Sequence, residues 1–188
     1  MKEDRTGPAL EGAIYLALFA ACIPAANWLI QHVGTVCVPN GPCLIPVAPG
    51  LSAPSGVLMI GLALVLRDLV QRRLGLGWAM AAIAIGAVLS AAFAPPTLVM
   101  ASVAAFLFSE IADLAVYTPL QKRGLVLAVV ASSLAGLVID SIVFLYLAFG
   151  SLDYLLGQIV GKAWMVLFAL PVIRWIKLRD ERLEMAAG

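Results

Sequence analysis

Apolar residues run through this chain in blocks of about twenty, separated by short polar breaks. A helix crossing the hydrocarbon of a bilayer needs about 20 mostly apolar residues, each adding a rise of about 1.5 Å. Six blocks fit: Glu11–Val33, Ala53–Val70, Leu76–Phe93, Thr97–Tyr117, Leu125–Phe149 and Leu155–Ile176. The third is short, and its boundaries are the least sharply marked. The expected fold is all-α: an integral membrane bundle of six transmembrane helices, forming a single domain over residues 1–188.

The breaks alternate in charge. Lys2 and Arg5 precede the first block, and Gly34–Ser52 holds no Lys or Arg. Arg72 and Arg73 follow the second block, and Ala94–Pro96 has no basic residue. Lys122 and Arg123 follow the fourth, and Gly150–Tyr154 again has none. Arg174, Lys177, Arg179 and Arg182 close the chain. Basic loops stay on the cytoplasmic side. The alternation therefore predicts an N-in/C-in multi-pass protein of the cell (inner) membrane, with both termini cytoplasmic.

Composition agrees. The chain is 63% hydrophobic and 12% charged, where a soluble domain carries about 25% charged residues. A net charge of +1 excludes a nucleic-acid partner held by bulk charge. Residues 1–6 are mixed in charge and no Ala-x-Ala site closes the first apolar run, so no cleavable signal peptide is expected.

Two cysteines, Cys37 and Cys43, sit in the long outer break beside Pro39, Gly41 and Pro42. An oxidising space favours a disulfide between them, and two free thiols are the alternative. Without a nearby acid or His they do not complete a metal shell, so neither a metal nor a cofactor is expected. Cys22, inside the first helix, reads as a small packing residue. Leu69–Arg73 resembles Pro119–Arg123, fifty positions later. Duplicated helical hairpins would produce this, but two basic loops alike by chance is the favoured reading.

Against this background, Glu110, Asp113, Asp140 and Lys162 stand out. A charge at the centre of a membrane helix costs roughly 2.5–3.5 kcal/mol on insertion scales, so each needs a partner and a role. In the fourth helix Ser102, Phe106, Ser109, Asp113 and Tyr117 recur every three or four residues and share one face, with Glu110 beside it. Two carboxylates this close repel when both are ionised, and burial disfavours the charged form. One of the pair is therefore expected to hold a proton, which suits proton coupling or acceptance of hydrogen bonds from a polar ligand.

The fifth helix carries Ala128, Ser132, Gly136 and Asp140 at four-residue spacing, a close-packing stripe ending in an acid. The sixth carries Gly157, Gln158, Gly161, Lys162 and Trp164, and its Gly-x-x-x-Gly spacing again suggests close packing. At about 1.5 Å per residue, Asp140 lies ~14 Å from the outer end of its helix and Lys162 ~10 Å from the outer end of the next. The two can meet as an ion pair, either structural or part of a site. Glu110 and Asp113 are expected to bound the same cavity from the cytoplasmic end.

Asn27 reads equally as interhelical glue or as a group that reads a heterocycle edge. His32 reads as interfacial, and Trp78 and Trp175 as belt residues. Arg67 reads as snorkelling from the cytoplasmic end of the second helix, with Asp68 and Arg72 forming an i,i+4 pair. Trp164 either packs or stacks on a planar ligand.

These residues, in this order, resemble the vitamin uptake transporter (VUT) family, a group of queuosine-precursor transporters. The resemblance is carried by Ala101-Ser102, Ala105-Phe106, Ser109-Glu110, Asp113 and Val116-Tyr117. It continues through Ala131-Ser132, Gly136, Asp140-Ser141, Phe144 and Ala148-Phe149, then Lys162 and Pro171. Ala26-Asn27, Arg67-Asp68 and Gly75 add to it. Three features depart from the family pattern: Leu137 after Gly136, the run Gln71-Arg72-Arg73-Leu74-Gly75, and the cysteine loop. The resemblance implies uptake of a purine-like base, a deazaguanine such as 7-cyano-7-deazaguanine. A carboxylate of Glu110, Asp113 or Asp140 can accept its adjacent N–H groups as a bidentate pair. Asn27 and Lys162 can meet its acceptors, and Phe106, Trp164 or Trp28 can stack on the ring.

The leading expectation is a secondary carrier, alternating around a midplane site and driven by proton movement through Glu110. No Gly-x-x-x-x-Gly-Lys-Ser/Thr loop is present, so the chain does not itself hydrolyse ATP. A substrate-binding subunit that recruits a separate ATPase is the alternative, and a homo-oligomer is compatible with both. An intramembrane enzyme is disfavoured, because a rhomboid-type site needs a deep His and the one His is His32. A purely structural subunit has no reason to bear the cost of buried charges.

Overall fold

The computed structural model describes residues 6–39 and 41–187. Six helices and a small sheet follow one another: α1 (Thr6–His32), β1 (Val36–Cys37), β2 (Cys43–Ala48), β3 (Leu51–Pro54), α2 (Val57–Leu74), α3 (Leu76–Phe93), α4 (Val99–Leu120), α5 (Leu125–Phe149) and α6 (Leu155–Ala187). The apolar blocks predicted at Leu76–Phe93 and Leu125–Phe149 coincide with α3 and α5. Helix α6 runs past Ile176 into the charged C-terminal segment. Lys2 and Arg5, which carry part of the charge alternation, lie outside the described residues.

One expectation needs correction. The long polar break is not plain loop: β1, β2 and β3 form an antiparallel meander pairing Val36 with Leu44 and Ile45 with Ala53. Cys37 and Cys43 face each other across β1 and β2 and are joined by a disulfide. The sheet also takes Ala53 and Pro54, so α2 starts at Val57.

The number of spans is supported in part. Among the described residues, five helices are long and apolar enough to cross a membrane by length and composition, and α2 is not among them. Its 18 residues include Arg67, Asp68, Arg72 and Arg73. Helix α2 is nonetheless the centre of the bundle, touching each of the other five helices. Ala63 through Gln71 are all buried. Arg67 and Asp68 therefore face protein rather than lipid, which is the condition under which such residues are tolerated at depth. At Gly61 the backbone of α6 lies so close that a Cβ would strike the Lys162 carbonyl and Cα. That approach brings the two helices together at the level of the lysine.

Helix ends segregate into two groups. The end of α1, the start of α2 and the start of α6 meet the sheet. At the opposite end Glu11, Arg73, Asp180, Arg72 and Arg179 form an ionic network joining α1, α2 and α6. The predicted Asp68–Arg72 pair does not form. Arg72 reaches Asp180 at 2.6 Å instead, and Asp68 is engaged inside the bundle. Helices α2 and α3 are joined at Gly75 alone, whose φ of 87° is a conformation that glycine adopts without a Cβ penalty. The repeat pair also separates: Leu69–Arg73 is helical, whereas Gln121–Arg123 form a turn, in keeping with chance similarity.

Candidate functional site

The interior holds two buried polar clusters. In the first, the Lys162 ammonium donates to Asp140 Oδ2 at 2.5 Å, Ser141 Oγ at 2.7 Å and Gln158 Oε1 at 2.8 Å. The ion pair expected from helix depth is therefore present. Ser141 and Gln158 complete it, and all three donor positions of the ammonium are used. Gln158 sits one turn before Lys162 on α6, and Ser141 follows Asp140 on α5.

This cluster lines a cavity of about 70 Å³, several times the 10–15 Å³ that admits one water. Asn27, Phe106, Asp140 and Lys162 all border it, together with Ser90, Ser102 and Gln158. Asn27 Nδ2 is held by the Ile23 carbonyl at 3.0 Å, leaving its side-chain oxygen as an acceptor. Phe106 leans on Phe19, 6.1 Å between ring centroids, and forms an apolar wall. Beneath this wall Phe19, Cys22, Ile23, Ala63, Leu66, Ala82 and Ile83 pack tightly, so Cys22 is the packing residue it was read to be.

The second cluster is centred on Arg67. Its Nε donates to Glu110 Oε2 at 3.1 Å, its Nη1 donates to Gln71 Oε1 at 3.1 Å, and its Nη2 donates to Asp113 Oδ1. Asp68 Oδ1 lies 3.0 Å from Nη2 but accepts no aligned hydrogen bond. The other Asp68 oxygen accepts from Ser132 Oγ at 2.7 Å. The guanidinium carbon lies 5.8 Å from the centroid of the Tyr117 ring. Arg67, Asp68 and Asp113 are fully buried, and Glu110 is nearly so.

Arg67 therefore does not snorkel, and Glu110 and Asp113 are not a bare repelling pair. The guanidinium fork lies against both. Arg67 sits seven residues before the end of α2 at Leu74, or about 10 Å at 1.5 Å per residue. That depth is the signal that could have placed it inside.

The shared face on α4 holds: Phe106, Ser109, Asp113 and Tyr117 are buried and Ser102 is half-buried, with Glu110 buried beside them. The stripe Ala128, Ser132, Gly136 and Asp140 on α5 is buried throughout. A Cβ on Gly136 would crowd the Asp113 side chain, so that glycine lets α5 close over α4. Glu110 and Asp113 are not among the residues that border the Asp140–Lys162 cavity, contrary to expectation; both pair with Arg67 instead.

Trp164 also departs from its ligand-stacking role. It is 43% exposed, donates Nε1 to the Val47 carbonyl at 3.0 Å and stacks on Phe168. It anchors α6 to the sheet from outside. Trp78 and Trp175 are more than half exposed, as membrane-belt residues would be. Trp28, expected to stack on a ligand ring, is also more than half exposed, stacks on His32 and does not border the cavity. Sequence reading missed the roles of Ser90, Gln158 and Arg67.

Among the described residues, no group of three His, Cys, Asp or Glu side chains is arranged to hold a metal ion. A family model described as "Putative vitamin uptake transporter" matches residues 92–176. The matched stretch contains α4, α5 and most of α6, and so Glu110, Asp113, Asp140 and Lys162. The family resemblance is supported over that stretch, and the apolar helices fit a multi-pass membrane protein. No curated protein and no solved structure matches the chain.

Proposed function

We propose that this protein is a secondary carrier importing a queuosine precursor, a deazaguanine base such as 7-cyano-7-deazaguanine. It would lie in the inner membrane with both termini in the cytoplasm, the basic end of the bundle facing inward. The observation that carries the reading is the cavity bordered by Asp140, Lys162, Asn27 and Phe106. A planar base needs an apolar wall and a few fixed polar groups. Phe106 supplies the wall. Lys162 is saturated by its neighbours, so the cavity offers acceptors in the Asp140 carboxylate and the Asn27 amide oxygen, beside the Gln158 amide NH2 and serine hydroxyls, which can also donate. Acceptors suit the adjacent N–H groups of a guanine-like edge.

Cells that cannot salvage the precursor are expected to regain queuosine in tRNA when this chain is expressed and the base is supplied in the medium. An unchanged tRNA queuosine content would sink the substrate assignment. Uptake into liposomes holding only this protein separates a carrier from a subunit that requires an ATPase.

Protons are the proposed coupling ion. Three carboxylates, Asp68, Glu110 and Asp113, surround one guanidinium. If all ionise, the surplus negative charge lies in a layer shielded from water, which is costly unless protons relieve it. Glu110→Gln is expected to leave substrate binding intact and to abolish accumulation against a gradient. Accumulation equal to the parent's would remove Glu110 from the coupling mechanism.

A further inference from the structure

A second cavity, of about 280 Å³, lies at the sheet end of the bundle. Its walls come from four places: Ile30 and Gln31 on α1, Gly41 and Pro42 in the disulfide-closed turn, Pro95, Thr97 and Leu98 before α4, and Phe149 at the end of α5. Two of these, Ile30 and Leu98, also line the central cavity. The two spaces are thus neighbours, with the side chains of Ile30 and Leu98 as their common border.

We infer that this second cavity is an access vestibule for the central one, with Ile30 and Leu98 as its inner threshold. The inference rests on the transporter reading and adds to it the side and route of loading. Three observations carry it. First, the vestibule is the larger space, and its rim is accessible, since Gln31, Gly41 and Thr97 are exposed. Second, its lining mixes proline and aliphatic surface with the polar groups of Gln31 and Thr97 and carries no charged side chain. An uncharged solute meets no ionic group there that would hold it. Third, the route in the other direction is closed. Beyond Phe106 stand the Phe19–Ile83 packing layer, the Arg67 cluster and a further apolar layer built on Leu69, Tyr117, Leu125 and Ile173. The ionic network of Glu11, Arg73 and Asp180 then ties α1, α2 and α6 together at that end.

The disulfide has a part in this arrangement. It pins β1 to β2 and so holds Gly41 and Pro42 against the mouth of the vestibule. The covalent link limits how far that wall can move while the rest of the turn stays exposed.

The test is thiol accessibility, which does not require the substrate. Ser102→Cys places a thiol in the central cavity of a Cys22→Ala protein whose native disulfide is intact. A small membrane-impermeant methanethiosulfonate is added to sealed membranes from one side at a time. Val38→Cys reports the sheet side and Glu181→Cys the opposite side. Modification of Ser102→Cys is expected from the sheet side only. Adding Leu98→Trp, or Thr97→Trp on the rim, is expected to remove most of that modification while the Val38→Cys reference is unchanged. Modification from the Glu181 side, from both sides equally or from neither overturns the inference. So does full reactivity in both tryptophan variants. Sheet-side labelling that Leu98→Trp blocks, in a protein that restores no queuosine to tRNA, would leave the vestibule standing and remove the substrate assignment instead.

Discussion

Arg67→Met is expected to cost most of the folded protein. The side chain is fully buried and is the cation facing Asp68, Glu110 and Asp113. Methionine fills a similar volume but leaves those carboxylates without their counter-charge. Removing one partner of a buried ion pair costs about 3–5 kcal/mol, and here three partners are orphaned by one change. Against a typical total stability of about 5–15 kcal/mol, this is enough to unfold a large fraction of the molecules. Arg67→Lys keeps the charge but loses the fork that reaches Glu110, Gln71 and Asp113 at once, so an intermediate loss is expected. Folded yield and thermal unfolding in detergent measure both. Parent-like stability of Arg67→Met would show that the cluster is not what holds α2 to α4.

The Asp140–Lys162 pair has the next largest expected effect, and it separates a structural pin from a binding group. Lys162→Met alone leaves a buried carboxylate unpaired and should destabilise by about 3–5 kcal/mol. Combining it with Asp140→Leu removes both charges. Replacing a buried pair by apolar residues of similar size is often neutral or stabilising, so the double variant should recover the stability lost by the single one. Uptake should not recover, because the cavity would have lost the carboxylate proposed to accept the substrate's N–H groups. Thermal unfolding and uptake measured on the same preparations give the answer. A stable double variant that still transports would reduce the pair to a helix pin.

The helical blocks were legible because the bilayer length rule acts on local sequence. Leu76–Phe93 and Leu125–Phe149 follow from runs of apolar residues with no knowledge of their neighbours. The Asp140–Lys162 pair was also legible, since two antiparallel helices joined by a short loop fix the relative depth of their residues. The faces of α4 and α5 came from helical spacing alone.

Arg67 was misplaced for a physical reason. A cation near a helix end reads as snorkelling when only its own helix is in view. Whether it turns outward or inward depends on what surrounds that helix, and α2 is enclosed by the other five. The same enclosure explains why α2 falls outside the set of helices apolar enough to cross alone. Trp164 was misplaced in the opposite sense. Its position two residues past Lys162 suggested depth, but a rotation of about 200° along the helix turns it to the outer surface. The sheet was missed because its pairing joins residues whose short runs, Cys43–Ala48 and Leu51–Pro54, carry little periodic signal.

The sequence by itself determined that this is a membrane protein of mostly apolar helices, which residues would be costly at depth, and that Asp140 and Lys162 lie at similar depth and can meet. These depend on length, hydropathy and the helical repeat, all local quantities. Only the tertiary structure decided that α2 is the core, that Glu110 and Asp113 pair with Arg67 instead of bordering the central cavity, and that a disulfide-closed turn borders a second cavity beside it. Each of those depends on which helix packs beside which, because the partner of a buried charge comes from across the bundle.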